Sequence, residues 1–303
     1  MKLEYKNSNL IYKKLKLTDY EEFNNLFYSC FKKRISFKFF KWRYFSDKSS
    51  FCYGVFYCSK LIANIGLVSN KINNKTKDNS LSRHSSMVLK KYRGKGIFSN
   101  LSQKVKKMII NKISLVCMWP NKKNFSNFNL KKKQIIKRKY YLYKSFSKKN
   151  KINQTINYNI KNLFKFKDYI IENNNFFLKD FDYFKKRYLL YKKNEYSINE
   201  FKYKNLKSFF IIKKNYDSSG YCNVVLEHFG SNKIKLRHFS CLISEKNKLV
   251  FLSKKKIYKH NFKLLYNLKF NIGFLKNKNK NYKKFFLNNN EICLGDTDIF
   301  ITI

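Results

Sequence analysis

The chain has 303 residues, of which 44% are apolar, 18% aromatic and one a proline; this is ample material for one large or two medium cores and excludes a disordered chain. Lys and Arg number 67 against 18 Asp and Glu, a formal net charge of +49, which implies attraction to anions such as nucleotides, acidic substrates, nucleic acid or anionic lipid. Abundant Lys, Asn, Ile, Phe and Tyr with little Pro, Gly and Ala is also what an A+T-rich genome supplies, and that accounts for the lysines but not for the scarcity of acids.

Residues 10–15 alternate weakly and read as a first strand. Thr18-Asp19-Tyr20-Glu21 has capping-box spacing, so a helix is expected from there, with Phe23, Leu26, Phe27, Cys30 and Phe31 on its buried face. A second short helix is expected over Ser36–Tyr44. Phe51–Tyr57 and Leu61–Val68 read as a hairpin around Cys58-Ser59-Lys60, and the polar segment 70–80 as a loop. A strand over Arg83–Leu89 leads to Arg93-Gly94-Lys95-Gly96-Ile97-Phe98, which opens a helix carrying Ile97, Leu101, Val105 and Met108 on one face. The next strand, Ile113–Met118, stops at Trp119-Pro120-Asn121. A basic stretch, Lys131–Lys139, precedes a strand over Tyr140–Phe146.

The second half repeats this rhythm loosely. Residues 166–191 read as helical, with Phe181, Phe184, Tyr188 and Leu189 on one side. Ser208–Ile212 and Tyr221–Phe229 read as strands around Asp217-Ser218-Ser219-Gly220, and Leu249–Leu252 and Asp298–Ile303 as later strands. A boundary near residue 150 divides the chain into domains 1–150 and 151–303. The seven cysteines, Cys30, Cys52, Cys58, Cys117, Cys222, Cys241 and Cys293, form no Cys-x-x-Cys pair; buried free thiols in a reducing compartment are expected, and no structural zinc. His228, His238 and His260 have no metal-ligand spacing. Met1–Tyr5 starts no apolar signal core and no run approaches a membrane span, so a cytoplasmic protein is expected.

Two of the chain's eight glycines sit one residue apart at Gly94 and Gly96. Glycine adopts dihedrals closed to other residues and lets a ligand approach the main chain. A glycine turn feeding a helix start aims backbone N–H groups at one point, which suits a phosphate. Val88-Leu89-Lys90-Lys91-Tyr92-Arg93-Gly94-Lys95-Gly96-Ile97-Phe98 resembles motif A of the GNAT (Gcn5-related) N-acetyltransferases, Arg/Gln-x-x-Gly-x-Gly/Ala between a strand and a helix. Arg93, Gly96 and Phe98 fall on its defining positions, and Phe98 departs from the small residue expected there. Trp119-Pro120-Asn121 is similar to the Pro-Asn at a strand end in a subset of that family, and Leu294-Gly295-Asp296-Thr297-Asp298 resembles the ending of two-domain members.

The resemblance implies a mixed α+β fold, a mostly antiparallel sheet flanked by helices, followed by a GNAT-like second domain without its own cofactor loop. It implies acetyl-CoA as co-substrate and no metal. Backbone N–H groups over Gly94, Lys95, Gly96, Ile97, Phe98 and Ser99 would hold the pyrophosphate, with charge from Arg93 and Lys95 and a reach to the 3′-phosphate from Lys90 or Lys91. A backbone N–H of the strand Met87, Val88 and Leu89 would stabilise the thioester oxyanion, the strand Ile113–Met118 would hydrogen-bond the pantetheine arm, and Asn121 at its end would belong to the cofactor site. His84 is the nearest titratable candidate for a base, although its position first reads as that of an ordinary strand-start residue. The position where the family often places a tyrosine acid falls on Phe128, which has no hydroxyl, so Tyr140, Tyr141 or Tyr143, or solvent, would reprotonate the thiolate. An amine is the expected acceptor, an amino sugar of surface-polysaccharide synthesis and an anionic sugar nucleotide being the forms the resemblance favours. The alternatives are a basic nucleic-acid-binding protein, with aromatics interleaved among lysines, and a GNAT fold that binds CoA without catalysis.

Overall fold

The computed structural model describes residues 9–72, 79–118, 135–145, 155–170, 177–190, 195–203, 205–217, 220–230, 248–253 and 262–275. Trp119-Pro120-Asn121, Phe128, Leu294–Asp298 and the strand expected over Asp298–Ile303 lie outside the described residues. The chain divides into two compact units. Among the described residues the first holds 9–71, 79–118, 135–137 and 271–275, and the second holds residue 72, 138–145 and the remainder up to 270.

In the first unit β1 (Ile11–Lys14) is followed by α1 (Tyr20–Phe31) and α2 (Phe37–Phe45). Next come β2 (Phe51–Tyr57), β3 (Lys60–Lys71) and β4 (Asn79–Val88), then α3 (Ile97–Ile109) and β5 (Leu115–Met118). β1 to β4 pair antiparallel in chain order, and β4 pairs β5 parallel. Of the segment expected as a loop over 70–80, the two ends are strand, since β3 runs to Lys71 and β4 begins at Asn79, and residues 73–78 lie outside the described residues. The helix expected from Thr18 begins at Tyr20. Asp19 instead turns back to accept from the Lys16 N–H at 2.7 Å, closing a 3-10 turn before the helix.

The sheet is buried on both faces. On one, Val55, Ile65, Leu67, Leu81 and Val116 pack with Ile97, Leu101 and Val105 of α3. On the other, Cys52, Leu61 and Met87 pack with Phe23 and Phe27 of α1 and Phe40 and Tyr44 of α2. Leu61 to Leu67 of β3 are therefore buried without interruption, the pattern of a strand covered on both sides. At the end of α1 the expected inward stripe breaks down: Phe31 is 46% exposed and Cys30 only half-buried.

In the second unit β6 (Ile135–Ser145), β7 (Thr155–Asn159), β8 (Tyr196–Tyr203), β9 (Leu206–Asp217), β10 (Gly220–Gly230) and β11 (Lys248–Ser253) take the spatial order β6-β11-β10-β9-β8-β7. β7, β8, β9 and β10 pair antiparallel in chain order and β10 pairs β11 parallel, which repeats the pairing of β1 to β5. Residues 231–247, between β10 and β11, contain no glycine. The last strand, β12 (Phe262–Phe274), gives residues 271–274 to the first unit, where Asn271 to Phe274 pair antiparallel with β5.

One long helix over 166–191 is not what forms. The described residues show a 3-10 segment Ile160–Tyr169, an isolated bridge between Phe177 and Ile72, the short α4 (Phe181–Phe184) and a π-type turn over Lys185–Leu189. Phe177 pairs with Ile72, and Asp180 starts a new helix by accepting from the Tyr183 N–H at 2.8 Å. This unit buries a charged cluster: Glu227 accepts from Tyr183 Oη at 2.7 Å, from Tyr188 Oη at 2.8 Å and from the Lys179 ammonium. Paired and hydrogen-bonded on both oxygens, the carboxylate meets the condition for a charge to be buried.

Candidate active site

β4 carries the first feature of the site. Met87 lies opposite Asn64 and His84 opposite Gly66, so Ser85 and Ser86 together oppose Ile65. This is a β-bulge, and its extra residue shifts the strand's alternation by one. Before it, Leu81 and Arg83 face α3, where the Arg83 guanidinium lies 5.9 Å from the Phe98 ring centroid. After it, Val88 packs on the α3 side while Met87 turns to the α1/α2 side. His84 and Ser85, although consecutive, both contact α2.

The bulge also decides where the peptides point. Leu89 donates to the Ile62 carbonyl at 2.9 Å, toward β3. Alternation then turns the N–H and C=O of Val88, and of Ser86 before it, away from β3. The Val88 carbonyl is met on that side by Arg93 Nε at 2.9 Å and Cys30 Sγ at 3.7 Å. β5 pairs β4 only as far as Arg83 among the described residues, so Ser86 and Val88 present their N–H groups on a stretch of edge beyond that pairing.

The glycine turn follows. A 3-10 turn over Lys90–Tyr92 leads to Gly94 at φ +78° and Gly96 at φ +73°, and Gly96 caps α3. Both values lie in the left-handed region that favours glycine. A Cβ built on either would meet nothing within 4 Å, so the space above the turn is open. The first bond of α3 runs from Asn100 N to Gly96 O, and the N–H groups of Ile97, Phe98 and Ser99 therefore take no part in the helix's own ladder. Lys90, Lys91, Arg93 and Lys95 are exposed around the turn.

These pieces enclose a cavity of about 400 Å³, with Ser86, Met87 and Val88 on one wall, the turn and the first residues of α3 on another, and Cys30 and Phe31 at the end of α1 on the third. Every residue proposed from the motif over Met87–Val88 and Arg93–Ser99 borders this cavity except Lys95, which is exposed beside it; Leu89 packs into the apolar layers on either side of the sheet. The sequence did not point to Cys30 and Phe31 as site residues, because helical spacing assigned both to the core. Burial pushes the Cys30 thiol up, against the pull of the Arg93 guanidinium, so it is held as a thiol at neutral pH.

No protein-family model matches the chain, and no curated protein matches it in sequence. Solved structures match it in fold. A GCN5-related N-acetyltransferase from Anabaena variabilis superposes with a TM-score of 0.66 at 10% identity, over 88% of this chain and 73% of that one. The fold is that of the GCN5-related N-acetyltransferases. A second such protein, from Kribbella flavida, gives 0.60 at 11% identity over 88% and 72% of the two chains. A GCN5-related glucosamine N-acetyltransferase region of a fungal multi-domain β-N-acetylglucosaminidase gives 0.57 at 9% identity, over 86% of this chain and 38% of that one.

His84 is buried on β4, with its Nε2 3.0 Å from Arg43 Nη2 of α2. A guanidinium only donates, so that nitrogen is the acceptor. His84 does not border the cavity. Arg83 is buried, and loss of solvent pushes it down to about 10, leaving it cationic at neutral pH. Tyr140 belongs to the second unit, 2% exposed, with its ring edge-on to Phe270 at 6.3 Å. Tyr141 and Tyr143 lie on the same strand. Among the described residues, no group of three or more His, Cys, Asp and Glu is placed to hold a metal ion, and no helix is long and apolar enough to cross a membrane.

Proposed function

We propose that the chain is an N-acyltransferase that moves an acetyl group from acetyl-CoA to an amine. The observation that carries this is the cavity built from a bulged strand edge, a glycine turn and the start of α3. The open space above Gly94 and Gly96 fits a pyrophosphate resting on backbone N–H groups, and about 400 Å³ accommodates an extended thiol arm.

Acetyl-CoA supplies an acyl group activated as a thioester. The chain's own residues do the rest. The N–H groups of residues 94–99 and the charges of Arg93 and Lys95 bind the diphosphate. Arg93, by holding the Val88 carbonyl, ties the end of β4 to the turn. The Val88 N–H, aimed at the cavity, donates to the carbonyl oxygen as charge develops there. The attacking amine must be neutral; His84 is the proposed acceptor of its proton, which requires Arg43 to release Nε2, and solvent is the proposed donor to the departing thiolate.

The acceptor we propose is an amino sugar, carried on a nucleotide diphosphate and present in the cytoplasm. The glucosamine-acetylating region among the structural neighbours supports the sugar, and the +49 charge supports the diphosphate. Calorimetry with acetyl-CoA, then free-thiol release with glucosamine, UDP-glucosamine and simple amines, tests the reading. Absence of acetyl-CoA binding overturns it. Binding without thiol release from any amine leaves a CoA-binding protein instead. Tight, salt-sensitive RNA binding in place of acetyl-CoA binding identifies a nucleic-acid protein.

A further inference from the structure

Ser85 has φ +43°, a left-handed value in a residue that is not glycine, and it sits where β4 changes phase. Such a conformation is disfavoured for any residue with a Cβ and persists only when its surroundings hold it. Three residues provide that hold. The Tyr44 hydroxyl lies 2.6 Å from Ser85 Oγ. Asn64 Nδ2 donates to the Ser85 carbonyl at 3.1 Å. Gly66 lets the Tyr44 ring cross the sheet, since a Cβ there would stand 2.7 Å from Tyr44 Cε1. Tyr44 itself is 1% exposed and wedged between Phe23 and Phe40, with ring centroids 5.7 and 5.8 Å away.

We infer that Tyr44 is a positioning residue for acyl transfer: it locks the β4 bulge through Ser85 and so keeps the Val88 N–H aimed at the cavity. If Ser85 relaxed to an extended conformation, residues 86–88 would regain the phase they lack. A one-residue shift of phase exchanges the faces of a strand, and the Val88 peptide would turn toward β3. Neither Tyr44 nor Asn64 borders the cavity, so both act through the backbone and not on the substrate. The inference rests on the acyltransferase reading for its effect on rate, but not for its effect on the strand.

The test compares wild type, Tyr44→Phe, Ser85→Ala and the double variant Tyr44→Phe/Ser85→Gly. Three measurements apply: acetyl-CoA affinity by calorimetry, thiol release from acetyl-CoA with glucosamine, and deuterium uptake of a peptide spanning residues 84–88. Tyr44→Phe keeps the ring and removes one hydrogen bond. It should lower kcat about five- to tenfold, as the loss of one buried hydrogen bond does, leave acetyl-CoA affinity within about twofold and speed exchange over 84–88. Ser85→Ala cuts the other end of the same bond and should match it. Glycine takes a positive φ without help, so the double variant should recover most of the lost rate. Unchanged exchange in Tyr44→Phe, unchanged kcat, or a double variant as slow as Tyr44→Phe each overturns the inference. A wild type that binds acetyl-CoA but releases no thiol with glucosamine or any other amine refutes the acyltransferase reading, and the exchange comparison still decides whether Tyr44 holds the bulge.

Discussion

On the acyltransferase reading, Gly96 is kept for a ligand and not for packing. At φ +73° and with nothing within 4 Å of a built Cβ, Gly96→Ala meets no clash and costs only the left-handed backbone term, about 1–2 kcal/mol. At roughly 2–4 °C per kcal/mol for a domain of this size, the midpoint should fall by a few degrees. Gly96→Glu bears the same backbone cost, less about 0.3–1 kcal/mol returned by a carboxylate at the N-terminus of α3. Its folded stability should therefore equal or exceed that of Gly96→Ala. Its binding should not follow. On that reading the carboxylate enters the space proposed for the pyrophosphate and displaces charge-assisted hydrogen bonds from Ile97, Phe98 and Ser99, worth roughly 1.5–3 kcal/mol each. Losing two of them already weakens acetyl-CoA more than a hundredfold. Calorimetry and thermal melts on the three proteins measure both quantities. Gly96→Glu binding acetyl-CoA as wild type does, or Gly96→Ala losing more than about 4 kcal/mol of stability, would refute the reasoning.

The other glycines and the buried charges give further tests. Gly66→Ala should destabilise the first unit by about 1–3 kcal/mol, because its Cβ would press on the Tyr44 ring at 2.7 Å; a melt within 1 °C of wild type contradicts the packing described. Arg93→Gln, which loses the bond from Nε to the Val88 carbonyl on an exposed side chain, should weaken acetyl-CoA about tenfold while leaving the melt unchanged. In the second unit Glu227→Gln leaves the Lys179 ammonium buried without its counter-charge and should cost about 3–5 kcal/mol, whereas Glu227→Met/Lys179→Met should cost much less. His228 is pushed down to about 4, by burial first and by Lys179 second. The unfolded chain then takes up the proton more readily, so stability is lost as pH falls from about 6.5 toward 4, by roughly 3 kcal/mol in full. His228→Phe, which preserves the stack on Phe210, should flatten that part of the pH–stability curve.

The legible elements are those whose signal is local. The hairpin of β2 and β3 shows as two apolar runs around a short turn, and α3 as a stripe of Ile97, Leu101 and Val105. β7, β8 and β12 went unread because their alternation is diluted by Asn and Lys, and they are strands only because neighbours pair with them. The helix expected over 166–191 failed for the converse reason: apolar spacing is present, but a bridge to Ile72 and a cap at Asp180 divide the segment. Cys30 and Phe31 carry a helical core pattern up to the end of α1, where the core stops and the cavity begins.

By itself the sequence determined the glycine turn at the start of α3. Positive φ at Gly94 and Gly96 and the periodicity of α3 are properties of neighbours along the chain. Only the tertiary structure decided what stands around that turn. The bulge at Ser85 is marked by no glycine, and its hold comes from Tyr44, 41 positions away along the chain, and Asn64, 21 positions away. His84, legible as a base, turns out to face Arg43. The second unit's repetition of the β1–β5 pairing, and its buried Glu227, likewise depend on strand partners and helix contacts. A backbone conformation that one residue type alone favours can be read locally; a conformation imposed on an ordinary residue by distant hydrogen bonds becomes visible only when the chain is folded.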